Sequence, residues 1–284
     1  MFLVSGRYES FRARPGEVFE IVNTALFMLS IFLPTTAGYL LFYREDAMLF
    51  FEKVIFSFSV GTGLLSFYLF GLGLMGTPFS SAAAAAFFVP FLVVGIWRGG
   101  AVAKSMRFSL KSPLSGLSPG SKIIFSLLLT LILWKLFYLL FIILSSPTAF
   151  WDAYTLWNYK AKVIYHTREV AMGLGGEGLP GDPYKHYPLH LPIMRAWTAF
   201  IIGEWNDSFV NLHSFVTFLC LLGLVYITLR RELGKIPALV FTYFLSSIPV
   251  LGYNVMGGYA DMAVGHYFLA AVVMLYYWRR TKEI

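Results

Sequence analysis

Residues 121–145 read SKIIFSLLLTLILWKLFYLLFIILS, and this run decides the fold class. Beyond Lys122 its apolar side chains continue without alternation, interrupted by short hydroxyls, Tyr138 and Lys135. A half-buried strand alternates with a period of two, and so does a lipid-facing barrel strand, so neither fits. A helix needs about 20 apolar residues to cross roughly 30 Å of hydrocarbon, and this run supplies them. Working outward, comparable runs recur at about 20–43, 49–75, 80–97, 207–229, 236–253 and 262–278. The composition agrees. Of 284 residues, 58% are hydrophobic and 13% charged, and the mean hydropathy is +0.69, whereas a soluble domain carries about 25% charged residues. The expected fold is all-α: a polytopic transmembrane bundle of about seven spanning helices, with interfacial helices in one long external loop.

The net charge of +7 does not point to nucleic acid, because of where the basic residues stand. Arg98, Lys104, Arg107 and Lys111 precede the 121–145 run; Arg230, Arg231 and Lys235 follow the next; Arg279, Arg280 and Lys282 follow the last. Such clusters set topology and meet lipid headgroups, so membrane lipids are the expected partners. Seven helices would put all three clusters on the cytoplasmic side, with 146–206 and the turn before Asp261 outside. Arg7, Arg12 and Arg14 disagree unless the amino-terminal segment is an interfacial helix. That segment, MFLVSGRYESFRARPG, lacks the apolar stretch of a cleaved signal. A single cysteine, Cys220, allows no intrachain disulfide. No internal repeat supports an inverted-repeat transporter, and few ionisable residues lie deep in the runs. Ala82–Ala86 offers a surface for close helix approach, and Pro34, Pro90 and Pro249 predict kinks.

The long polar interval opens with WDAYTLWNYKAKVIYH at 151–166. Over 153–167, Trp157, Ala161 and Ile164 share one helical face, opposite Thr155, Asn158, Lys162 and His166. Lys160 falls beside the apolar side, with its stem in lipid and its ammonium reaching up. The pattern predicts a surface helix, serving as a headgroup anchor or binding a phosphate through Lys160 or Lys162. Asp152 has two readings: an N-cap of that helix, or a general base at the bilayer surface. Asp261, at the start of the last run, repeats the choice on the same expected face. Two converging carboxylates would offer oxygen ligands to a divalent cation. Residues 173–181 form a glycine-rich loop, and Leu191–Gly203 is too short to span, so it reads as interfacial or re-entrant. Arg195 inside it is costly unless it meets a phosphate, a carboxylate or water.

Several motifs carry nothing. Gly173–Gly178 matches G-x-G-x-x-G, but no strand precedes it. Asn206–Asp207–Ser208 is a sequon of a kind common by chance. His186 and His190 are four apart, but Pro188 between them argues against a helical zinc pair. His213 and His266 lie inside apolar runs, where helix–helix hydrogen bonds are the expected role.

Three segments in order, WDAYTLWNYKAKVIYH, YPLHLPIMRAWTAFIIGEWNDS and GGYADMAVGHYFLAAVVMLYYW, resemble landmarks of the GT-C-type membrane glycosyltransferases. The relatives in question are bacterial and archaeal polyprenyl-phosphate-sugar transferases, akin to protein O-mannosyltransferases and aminoarabinose transferases. The resemblance covers about 120–280, with residues 1–119 as an amino-terminal membrane region and 120–284 as the GT-C-like core around the loop 146–206. It implies Asp152 for the external-loop aspartate and Asp261 for the later acidic residue. The implied activity is transfer of a sugar from a lipid-linked phosphate donor to an acceptor hydroxyl, on the extracytoplasmic face of a plasma membrane. Trp151, Trp157, Lys160, Lys162, Tyr187, His190 and Arg195 are the expected donor-binding residues; the cofactor is left open, a divalent cation at Asp152 and Asp261 being one option. Such relatives usually carry an arginine early in the helix after the surface segment, where this chain reads Phe209-Val210-Asn211-Leu212-His213. They also continue beyond the helix opened by the second acidic residue, so a fragment, a shortened paralogue or a membrane partner supplying later helices is expected. The competing reading is a non-catalytic scaffold or lipid-binding subunit whose aspartates are caps.

Overall fold

The computed structural model describes residues 21–44, 48–106, 113–146, 148, 150–170 and 187–282, and the regular structure among them is helical. Long uninterrupted apolar runs satisfy every backbone group internally, so they fold as helices. Five are long and apolar enough to cross a membrane: α1 (Ile21–Phe42), α2 (Phe50–Leu74), α3 (Ser81–Ser105), α4 (Pro119–Ser145) and α7 (Asp207–Leu233). A sixth span exists if α8 (Lys235–Ser246) and α9 (Pro249–Gly257) count as one, although the pair bends by 62°. The chain is a multi-pass integral membrane protein.

The expected seven spans reduce to five or six for two physical reasons. The run at 236–253 is broken because Pro249 lacks an N–H and opens α9 as its first residue; it does not kink a continuous helix. Lys135, midway along α4, serves this break: its ammonium donates to Ser247 Oγ and lies 4.0 Å from the Tyr243 ring centroid. The last run forms α10 (Asp261–Lys282), whose 22 residues suffice in length. Asp261, His266, Tyr267, Tyr276, Tyr277 and Arg279 dilute its apolar character, so it does not qualify by hydropathy. Pro34 and Pro90 do lie inside helices. Of Ala82–Ala86 only Ala84 is buried, so that piece is largely an outer surface. The amino-terminal arginines, the loop 173–181 and His186 lie outside the described residues.

Glycine sets the closest helix crossing. A Cβ on Gly61 of α2 would stand 1.8 Å from the Pro34 carbonyl oxygen of α1, and one on Gly38 would stand 2.1 Å from that of Ser57. At one end of the bundle Glu52, with no exposed surface, accepts from Leu49 N (2.7 Å), Arg231 Nε (2.7 Å) and Tyr277 Oη (2.8 Å). That pins α2, α7 and α10 together. Farther along α2, Ser59 Oγ meets His266 Nε2 at 2.7 Å and Thr62 Oγ1 meets Tyr267 Oη at 2.8 Å. Both histidines placed within apolar runs are buried; His266 makes this interhelical bond, and His213 packs on Phe58 and His190.

Two short helices correct the surface-helix expectation. Residues 151–167 form one rod: a π-turn at Ala153–Trp157 continues into α5 (Asn158–Thr167). Its Trp157, Ala161 and Ile164 face protein, and so do Asn158 and Lys160, which are 2% and 4% exposed. In α6 (His190–Ile202), ten of the 13 residues are buried, against α1, α2, α5 and α7.

Candidate functional site

At the end of α2 away from Glu52, a cavity of about 1010 Å³ opens between the first turns of three helices. One wall comes from α2 (Gly63, Ser66, Phe67, Phe70), one from the 151–167 rod (Asp152, Leu156, Trp157), and one from α10 and the turn before it (Tyr259, Asp261, Val264, Tyr267, Phe268). The segment from Tyr187 to Leu191 closes the remaining side. Asp152 and Asp261, far apart in sequence, thus line one space.

Asp152 has helical backbone angles (φ −66°, ψ −32°), and its carboxylate caps no amide. The capping reading of this residue fails for a steric reason: a helical residue inside the first turn cannot fold its side chain back onto the N2 or N3 amide. The π-turn begins at the next residue, and such turns recur at functional sites. Asp261 stands in the first turn of α10. Both aspartates are exposed to the cavity side, and among the described residues neither carboxylate has an ion pair or hydrogen-bond partner. Beside them, burial and then the hydrogen bond with Tyr253 Oη (3.3 Å) push the Tyr259 hydroxyl up to about 12, and the Asp152 charge adds to this. Tyr259 therefore stays protonated at neutral pH.

Trp157 stacks on Tyr187, with centroids 5.6 Å apart and planes 18° from parallel, and both line the cavity. His190 lines it too, and its Nε2 lies 3.2 Å from Tyr267 Oη. Burial, with His266 nearby, lowers the His190 pKa to about 4, so the imidazole is neutral near pH 7. Among the described residues no group of three His, Cys, Asp or Glu side chains lies together.

The expected cationic residues lie elsewhere. Lys162 pairs with Asp207 at 3.5 Å and stands over Trp205. Lys160 is buried within the protein, not stretched along lipid. Arg195 has no exposed surface; it donates to Asn158 Oδ1 (2.6 Å) and to the Gly258 carbonyl (2.5 Å). Burial holds its pKa down to about 9, against the pull of Asp207, so it remains charged. Trp151 is 76% exposed and stands outside the cavity. No lysine or arginine is among the described lining residues.

Behind the cavity a polar network that periodicity does not reveal joins the elements. Asn158 Nδ2 donates to Thr148 Oγ1 (2.7 Å) and approaches Asn211 Oδ1 (3.3 Å). Thr148 Oγ1 and Trp205 Nε1 both donate to Asp207 Oδ1, at 3.2 and 3.1 Å. The sequon asparagine, Asn206, caps α7 by accepting from the Ser208 and Phe209 amides. An asparagine immediately before an apolar run was the legible signal for that cap; nothing in the spacing marks Thr148 or Asn211.

Comparison with protein-family models, with curated proteins and with solved structures finds no match to this chain.

Proposed function

We propose that the chain is a membrane glycosyltransferase that uses a polyisoprenyl-phosphate sugar, with the cavity as its reaction site and Asp152 as general base. The observation that carries this reading is the Asp152 carboxylate: uncapped, without a partner among the described residues, and sharing one aromatic-lined cavity with Asp261. A carboxylate that caps nothing and lines a cavity is free to accept a proton from a bound hydroxyl. In the reaction the acceptor hydroxyl oxygen forms a bond to the anomeric carbon while the bond from that carbon to the phosphate oxygen breaks. The phosphate leaves with the electron pair, and the hydroxyl proton passes to Asp152.

The cavity suits such a donor at both ends. Phe67, Val264 and Phe268 line it and are 77%, 66% and 73% exposed, which gives an isoprenoid chain an apolar way in between α2 and α10. Trp157 and Tyr187 supply flat aromatic surface for a sugar ring. The phosphate does not meet Lys160, Lys162 or Arg195, which are engaged behind the cavity. Its charge would be met by the first turns of three helices that line the cavity, at Asp152, His190 and Asp261, each equivalent to about half a positive charge. Asp152 and Asp261 could hold a divalent cation, which would supply further positive charge to the phosphate. The setting is the extracytoplasmic face of a plasma membrane, and α10 would serve as a further crossing.

The test is transfer of labelled sugar from polyprenyl-phosphate sugars by purified protein in lipid vesicles, with and without Mg²⁺ or Mn²⁺. Turnover is expected. Folded protein that binds the donor lipid but transfers nothing to any hydroxyl acceptor favours the lipid-binding subunit instead.

A further inference from the structure

Arg195 is the largest fully buried side chain among the described residues, and it makes no ion pair with them. Its two terminal nitrogens reach different elements. Nη1 donates to Asn158 in the rod that carries Asp152, and Nη2 donates to the Gly258 carbonyl, in the turn that delivers Asp261. Asn158 cannot swing away, because its amide nitrogen is held by Thr148 and faces Asn211. Gly258 must be glycine twice over. Its backbone is left-handed (φ +62°), and a Cβ there would lie 2.1 Å from Arg195 Nη2. The turn is therefore shaped around the guanidinium.

A buried cation is a poor source of net stability, since its desolvation cost is large and an apolar side chain of similar volume is often as stable. What a planar fork supplies that an apolar group cannot is a fixed distance between its two acceptors. The geometry points to Arg195 as the positioning residue of the cavity, setting the separation between the Asp152-bearing rod and the turn before Asp261. This rests on reading the cavity as the reaction site. A lysine reaches one of the two acceptors but not both.

The test uses full-length protein in vesicles with Cys220→Ser and nitroxide labels at Tyr154, on the rod, and Gly265, one turn past Asp261. Tyr154 is 65% exposed and Gly265 has open space around its Cβ position. The parent should give a narrow distance distribution. Arg195→Met and Gly258→Ala should broaden or shift it, with Arg195→Lys between. In the transfer assay kcat should fall about 10²-fold, as a displacement of about 1 Å commonly costs, with KM little changed. An unchanged distribution in any folded variant overturns the proposal. So does failure of both Arg195→Met and Gly258→Ala to fold, which would make the fork a stability element. Broadening without any transfer activity in the parent leaves the fork in place and refutes the transferase reading instead.

Discussion

His190 Nε2 and Tyr267 Oη lie 3.2 Å apart at the floor of the cavity, joining α6 to α10. The bond sits where burial and nearby His266 lower the His190 pKa from 6.5 to about 4. The unfolded chain therefore binds a proton between those values that the native protein does not. Native stability from this residue is fully present above about pH 6.5 and falls as the pH drops toward 4, by about 3 kcal/mol in all. Thermal unfolding in detergent between pH 7 and pH 4.5 should show a falling Tm, and His190→Gln should flatten that slope. An equal slope in both proteins would assign the acid sensitivity to other groups.

The contact of Gly61 with Pro34 predicts a sharp contrast along a single helix. Gly61→Ala forces its Cβ into the Pro34 carbonyl and should cost about 1–3 kcal/mol or more. Gly71→Ala, with open space around the new Cβ, should be neutral or stabilising by about 0.5–1 kcal/mol. Unfolding of the two variants side by side checks this, and equal Tm values would contradict the crossing.

If the isoprenoid enters between α2 and α10, then bulk at Val264 should obstruct it. Val264 is 66% exposed and lines the cavity. Val264→Trp should weaken donor binding by roughly 1–3 kcal/mol, about tenfold or more in KM, and leave Tm within a few degrees. A KM that does not move would place the lipid elsewhere.

Particular residues show how far the sequence was readable. α1, α2, α4 and α7 follow from continuous apolar runs, because a span is specified by length and composition alone. The break after Ser246 is invisible to hydropathy, since both halves are apolar and only the proline marks the joint. Lys160 differs from its expected place in lipid because periodicity shows which face is apolar but not what covers it. With Trp157, Ala161 and Ile164 it follows the helical i, i+3, i+4, i+7 spacing, and that whole face is buried in protein. Arg195 stood out as costly, but its partners, an amide on α5 and a carbonyl before α10, are remote in sequence and of a kind no motif encodes. The two aspartates were legible as residues at helix starts on one face. Their common cavity depends on how α2, the rod and α10 meet, which is tertiary information.

Removing metal separates the two sources of positive charge proposed for the phosphate. If Asp152 and Asp261 hold a divalent cation, EDTA should abolish transfer and Mg²⁺ or Mn²⁺ restore it. Full activity in EDTA would leave the three helix starts as the neutralising groups.

The most direct measurement is the turnover of Asp152→Asn, as purified protein in vesicles with a labelled polyprenyl-phosphate sugar. Asparagine keeps the shape and the capping ability of the side chain but cannot take a proton. A fall of about 10²–10⁴ in turnover with unchanged Tm is predicted. Undiminished transfer by the variant would contradict the assignment of Asp152 as the base.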